Sequence, residues 1–485
     1  MKGSARLLLV LLALVAAPRF AHAWDPATTH DGMTERAAAV STLHATLVHD
    51  LDRALGIFEP LRLDLSLLDR SLARSLKARL ETLDPAGGCR PSPDGVATAS
   101  AWLRAGAVLA KTPPERGRNH FLEPGSRRGL DDGGGLSGTL YAARLTLDEG
   151  TTVRDTATGL TFDLEGMSAL EWVHSSGNDL GLAAFLEQWA LATSATEANQ
   201  RDTALARALL ALGGTLAVLE DMGQPAYVRN DFRTEFLSHD TGSVLERFVA
   251  DRYGAVGLPA PSKPVVRPDF DSYFVALDGK GLAQATQQRF FSTGTLPQDL
   301  SIDARESNAD ITSAANRTLR FGEPGLSTLD IRQDGKTRYV VRDGARLLAY
   351  ECSGNRVRFF LDERVRQDLA RRWLPEVEAY AAGMVDHLLR RKLQIKVADG
   401  KADIAVAGWG NEAADEASSE GLVGKSIHVL VEDAAGRRRE IASSSIAPES
   451  APLSIRLPSD ARKVAAFVRS DGADGFVASA EARLP

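Results

Sequence analysis

The hydrophobic pattern changes period near Leu393, and that change divides what the chain can fold into. Before it, apolar residues recur at helical spacing over Asp31 to Leu55, Leu65 to Leu83, Val96 to Leu109, Ala169 to Ala192, Thr203 to Leu219, Val244 to Tyr253 and about Glu363 to Leu389. Pro375 is expected to kink the last of these helices. After it come short β-rich runs: Ile395 to Val397, Ala402 to Ala407, Ser426 to Glu432, Leu453 to Leu457 and Lys463 to Arg469. Their turns include Asp399-Gly400, Ala435-Gly436 and Asp471-Gly472. The predicted fold class is mainly α, with a β-sandwich over residues 393–485. A second β-rich patch, at about 328–361, has turn pairs at Asp343-Gly344 and Gly354-Asn355 and reads as a small meander inserted in the helical region.

The first 23 residues read as an export signal peptide. Lys2 and Arg6 precede an apolar run from Leu7 to Ala17, and Ala21-His22-Ala23 is a small-residue cleavage pattern. The run is too short to span a bilayer, and no later segment reads as a transmembrane span. The expectation is an exported chain, periplasmic or extracellular, that begins at Trp24. Loss of Lys2, Arg6 and Arg19 takes the formal charge from −7 to about −10. An acidic surface repels phosphate backbones, so bulk nucleic-acid binding is not expected, whereas a small phosphoester in a local pocket is allowed. Cys89 and Cys352 either pair in an oxidising compartment or are two unrelated thiols. There is no Gly-x-Ser-x-Gly elbow, no phosphate-cradling Gly-x-x-x-x-Gly-Lys loop and no dinucleotide fingerprint.

Four segments carry residues suited to chemistry. Cleavage before Trp24 would leave a free α-amine close to His30, and both groups ligate transition metals. Arg116 to Pro124 contains Asn119-His120-Phe121. A helix delivers Asp221 before Gln224-Pro225 stops it. His239 to Phe248 contains Leu245-Glu246. Each of these residues also has a plain structural reading. His30 also reads as a helix cap, His120 as a buried hydrogen-bonded imidazole and Asp221 as a turn residue. Glu246 reads as a solvated helix carboxylate, and His239 as a loop residue.

Taken in order, Trp24, Thr29-His30, Asn119-His120-Phe121 with Pro124, Asp221 with Gln224-Pro225, and Leu245-Glu246 resemble the zinc-dependent phospholipase C and S1/P1 nuclease superfamily over roughly residues 24–392. The resemblance implies a helical domain with one to three zinc ions in a cleft. It places Trp24, His30 and Asp221 on one ion, His120 and Asp221 on a second, and Glu246 on a third, with Asp221 bridging metals in catalysis. Positions where the family carries ligands are here Lys111, Ala217, Tyr227 and Gly242. His239, Asp231, Glu235 and Asp240 are candidate replacements. Lys111 is a specific obstacle: a lysine cation about 4 Å from a divalent ion costs about 8 kcal/mol at an effective dielectric of about 20. Either Lys111 points away, or that ion is missing.

Two functions follow from the sequence. The first is a metal-dependent phosphoric-ester hydrolase of the phospholipase C type, acting on phospholipid or a small phosphodiester. The second is a catalytically degenerate scaffold that binds a ligand or partner.

Overall fold

The structure is a computed structural model that describes residues 25–130, 145–147, 152–155, 161–163, 166–231, 244–254, 257–296, 300–301, 311–313, 315, 329–353, 356–407, 424–446 and 452–484. The expected signal peptide, Trp24 and His239 lie outside the described residues.

The helical part is built around Ala198–Asp221, which is buried along most of its length. Helices Ala99–Leu109 and Leu182–Ser194 pack along it. The approach of the first is unusually close. A β-carbon on Gly213 would sit 1.8 Å from the Leu103 carbonyl oxygen, and one on Gly106 would sit 2.0 Å from that of Leu210. Backbone therefore touches backbone, which only glycine permits. One turn further on, Ala107, Ala110 and Ala217 form a small buried cluster that continues the seam. Ala198–Asp221 is also long and apolar enough to cross a membrane, contrary to the sequence expectation, but 89% of its apolar window is buried in the protein, as for a core helix.

Two stretches read as single helices are broken. The first divides into Asp31–Val40 and Leu43–His49. At the break, Asp386 accepts the Thr42 amide at 2.6 Å and the Thr42 hydroxyl at 2.9 Å, so a tertiary carboxylate replaces the helical acceptor. The second divides into Ala169–His174, opened by a Ser168–Glu171 capping box, and Leu182–Ser194. Glu363–Leu388 is continuous through Pro375 and packs on Asp31–Val40.

The meander is present, and the sheet is larger than the sequence suggests. Its antiparallel strands run in the order Leu300–Ser301, Arg356–Phe360, Ala345–Ser353, Thr337–Arg342, Asp330–Asp334. Asp343 and Gly344, with φ of 51° and 78°, supply the left-handed backbone that a two-residue hairpin turn requires. A three-stranded sheet at Leu145–Leu147, Thr152–Asp155 and Thr161–Asp163 is a further element that the apolar pattern did not reveal.

The C-terminal part is a β-sandwich. One sheet contains Lys392–Ala398, Lys401–Ala407 and Leu453–Arg456; the other contains Arg438–Ser445, Ser426–Glu432, Lys463–Ser470 and Phe476–Arg483. Leu393, Ala402 and Ile404 from the first share one core with Val429, Val464, Ala466 and Ala478 from the second. Polar contacts tie the sandwich to the helices. Thr193 and Ser479 hydroxyls meet at 2.9 Å, and Asp474 accepts from Arg390 at 2.9 Å and pairs with His387 at 2.7 Å. Cys89 and Cys352 are free thiols.

Candidate functional site

The last turn of Ala198–Asp221 presents two adjacent carboxylates, Glu220 and Asp221, both fully buried. The chain turns sharply after them: Gly223 and Gln224 amides bond back to the Glu220 and Asp221 carbonyls, and Pro225 ends the helix. Three other segments converge on this end. His30 closes the short Pro26–His30 turn and leads into Asp31–Val40. His120 ends the Pro114–His120 turn. Lys111 follows the Ala99–Leu109 helix.

His30 makes no side-chain cap to its helix. Its ring spans both carboxylates instead, with Nδ1 2.6 Å from Glu220 Oε2 and Nε2 3.1 Å from Asp221 Oδ1. Thr34, one turn along the same helix, donates to Glu220 Oε1 at 2.9 Å. On the other side of Asp221, His120 Nδ1 lies 2.6 Å from Oδ2. The Lys111 ammonium lies 3.1 Å from Oδ1 and 3.0 Å from Oδ2. It also sits 4.9 Å from the centre of the Tyr227 ring, which stacks on Phe121. None of the six polar side chains His30, Thr34, Lys111, His120, Glu220 and Asp221 exceeds 2% exposure.

The electrostatics follow from burial and pairing. Burial alone would raise the Asp221 pKa, but Lys111, His30 and His120 outweigh it and hold the carboxyl far below the ordinary range. Burial would likewise discharge His30, but Asp221 and Glu220 outweigh it and raise its pKa. Burial prevails at His120, whose pKa falls to about 4, with Lys111 and His30 adding to the fall. Burial raises Glu220 against the hydrogen bonds from His30 and Thr34. Lys111 and His30 thus face Asp221 and Glu220 as their buried partners, the pairing that ionisable groups out of water require.

These residues do not fit a zinc ion. Zinc needs three or four lone pairs converging on one point. Here the His30 ring is engaged at both nitrogens, His120 spends Nδ1 on Asp221, and the place beside both Asp221 oxygens holds an ammonium. Among the described residues, no group of three or more His, Cys, Asp or Glu side chains is disposed to hold a metal. Among the described residues, His120 Nε2 is buried with no hydrogen-bond partner and keeps a lone pair that could ligate. Ala217 packs against Ala107 and Ala110, so helix contact fills the position where the sequence resemblance expects a histidine.

The other candidates fall elsewhere. Glu246 is buried on Val244–Arg252 and hydrogen-bonds to none of His30, His120 or Asp221. Asp231 accepts the Gly294 amide at 2.7 Å, a loop-fixing role. Glu235 and Asp240, like Trp24 and His239, lie outside the described residues. The sequence reading missed Glu220. No sequence signal marks it, since only the fold brings Thr34, one helical turn after His30, to a carboxylate beside Asp221.

Comparison with known proteins gives no matching protein-family model and no matching curated relative. Two solved structures are similar in outline. The alpha toxin from Clostridium absonum aligns at 10% identity and a TM-score of 0.27, over 96% of this chain and 96% of that one. The Clostridium perfringens alpha-toxin from avian strain SWCP aligns at 10% identity and a TM-score of 0.26, over 94% of this chain and 91% of that one. At these scores the superpositions are loose, and the functional reading rests on the residues of the site.

Proposed function

We propose that this chain is an exported scaffold of the phospholipase C/P1 nuclease type in which a lysine has taken the metal position, and that it binds a ligand or partner instead of hydrolysing phosphoric esters with zinc. The observation that supports this is the Lys111 ammonium within 3.1 Å of both Asp221 oxygens, in a cluster closed to water. A lysine charge balances Asp221, but it has no open coordination position in which to polarise a phosphoryl oxygen or to acidify a water. Residues 24–392, with the insertion at about 328–361, form the helical scaffold in this reading, and 393–485 a second domain.

The test is metal content by mass spectrometry on protein cleaved before Trp24, together with phosphodiester hydrolysis. We expect less than about one zinc per chain and no hydrolysis above that of Asp221→Asn. Two or three zinc ions per chain, with hydrolysis lost in Asp221→Asn, would overturn the proposal.

The second reading is a phospholipase C-type hydrolase with a reduced zinc centre, acting on phospholipid or a small phosphodiester. The unpartnered His120 Nε2 favours it, because a neutral imidazole with a free lone pair is a good metal ligand. On this reading His120→Gln removes bound zinc and hydrolysis together.

A further inference from the structure

Where the β meander meets the helices, a cleft of about 360 Å³ opens between the end of Leu282–Arg289, the hairpin turn after Thr337–Arg342 and the middle of Glu363–Leu388. Three arginines line it, Arg289, Arg342 and Arg372, against two carboxylates, Asp343 and Glu376. Glu376 is committed to Arg289, with Oε2 2.7 Å from Nη1. Arg372 Nη1 donates to the Asp343 backbone carbonyl at 2.6 Å, which leaves its second nitrogen beside Gly344. Arg342 forms the base. It is only 8% exposed and lies close enough to Arg289 for the two cations to repel, and burial together with that repulsion lowers its pKa to about 10. Its Nη2 also donates to the Gln288 carbonyl oxygen at 3.4 Å.

The apolar wall is closely packed. Phe290 and Trp373 pack with ring centroids 5.0 Å apart, and the Arg289 guanidinium lies 5.1 Å from the Trp373 ring centre. Trp373 Nε1–H donates to the Gly223 carbonyl at 2.9 Å, which pins the wall to the main helical body. The volume falls in the range of small-molecule sites, and the combination of a few convergent polar groups with an apolar wall is typical of them.

We propose that this cleft binds a small molecule carrying a phosphate monoester, with the phosphate on Arg342 and Arg372 and the adjoining organic part against Phe290. The three arginines exceed the two carboxylates by one positive charge, which calls for an anion, and a phosphate monoester is preferred to a carboxylate for its acceptor geometry. Its three terminal oxygens can also engage two guanidinium forks at once. The proposal is independent of the buried cluster, since neither Lys111 nor Asp221 lines the cleft.

The shared chemistry fits a soluble phosphomonoester or the headgroup of a phosphomonoester lipid. The test is titration calorimetry with glycerol 3-phosphate and with acetate, and co-sedimentation with phosphatidic acid vesicles, on wild type, Arg342→Met and Arg372→Met. Arg372 is exposed, so its variant keeps the test sound if Arg342→Met fails to fold. Binding of glycerol 3-phosphate that weakens about tenfold or more in either variant supports the proposal and assigns a soluble ligand. Vesicle binding alone, with the same losses, supports it and assigns a lipid. No binding to either phosphate probe, binding that both variants retain, or acetate binding as tight as glycerol 3-phosphate would overturn it.

Discussion

The Lys111 ammonium lies 3.0 Å from Asp221 Oδ2, with the two side chains at 2% and 0% exposure. The ion pair joins the end of one core helix to the end of another. It also explains how a carboxylate can remain ionised at the bottom of the helical body. Burial opposes the charge, and Lys111 is the largest single influence that restores it.

Removing one partner should therefore cost more than removing both. Lys111→Met leaves Asp221 buried and short of its principal counter-charge, and we expect a loss of about 3–5 kcal/mol in urea unfolding. Asp221→Asn in the same background should recover part of that loss, giving a coupling energy within about 0.5–3 kcal/mol. Additive losses in the double variant would mean that the two groups do not depend on each other. Chelator treatment should leave the wild-type melting temperature unchanged, since this pairing needs no metal.

Ala217→His tests the seam from the other side. If the site were simply short of one ligand, a histidine at this position should raise zinc affinity. The structure predicts overpacking instead, because Ala217 is fully buried against Ala107 and Ala110 beside a backbone-to-backbone contact. The expected outcome is a loss of about 1–3 kcal/mol with no gain in bound zinc, read by thermal unfolding and metal analysis.

The order of elements was legible in the sequence because apolar spacing reports which face of a segment is buried. Breaks in that order were not. The interruption at Ser41-Thr42 depends on Asp386, 344 residues away, and no local signal announces it. The site was half legible. Motif order drew attention to His30, His120 and Asp221, which do meet. The sequence also posed the question of which way Lys111 points, but only three-dimensional packing answers it. Glu220 went unread because a carboxylate beside a motif residue looks like any other helix charge until Thr34 and His30 are seen to reach it.

The two site histidines should respond to pH with opposite sign. His30 has a folded pKa above its usual 6.5, so its contribution to stability is fully present below 6.5 and is lost as pH rises through the folded value. His120 has a folded pKa of about 4, so the native state is progressively disfavoured as pH falls from 6.5 towards 4, where the unfolded chain binds the proton more readily. Ring-proton NMR should show His30 still charged above pH 6.5 and His120 neutral down to about pH 4. His30→Gln should flatten stability on the alkaline side only, and His120→Gln on the acid side only. The same flattening in both variants would contradict these assignments.

Arg438 is the corresponding test for the junction between helices and sandwich. Its guanidinium donates to the Thr193 carbonyl at 2.6 Å, to Glu432 at 2.8 Å and to Glu481 at 2.8 Å, with the side chain 3% exposed. Arg438→Met leaves the Thr193 carbonyl unpaired and removes one cation from two carboxylates. Lys463, 3.2 Å from Glu481, and Arg201, 3.1 Å from Glu432, remain. The loss should therefore lie near the lower end of the range for breaking a buried pair, about 3 kcal/mol. Arg438→Lys should not restore it, because an ammonium cannot reach all three acceptors from one position. Limited proteolysis should cut the Arg438→Met protein first within residues 393–485, while the helical part stays resistant. Uniform cleavage along the chain would show that Arg438 serves the whole fold and not the junction.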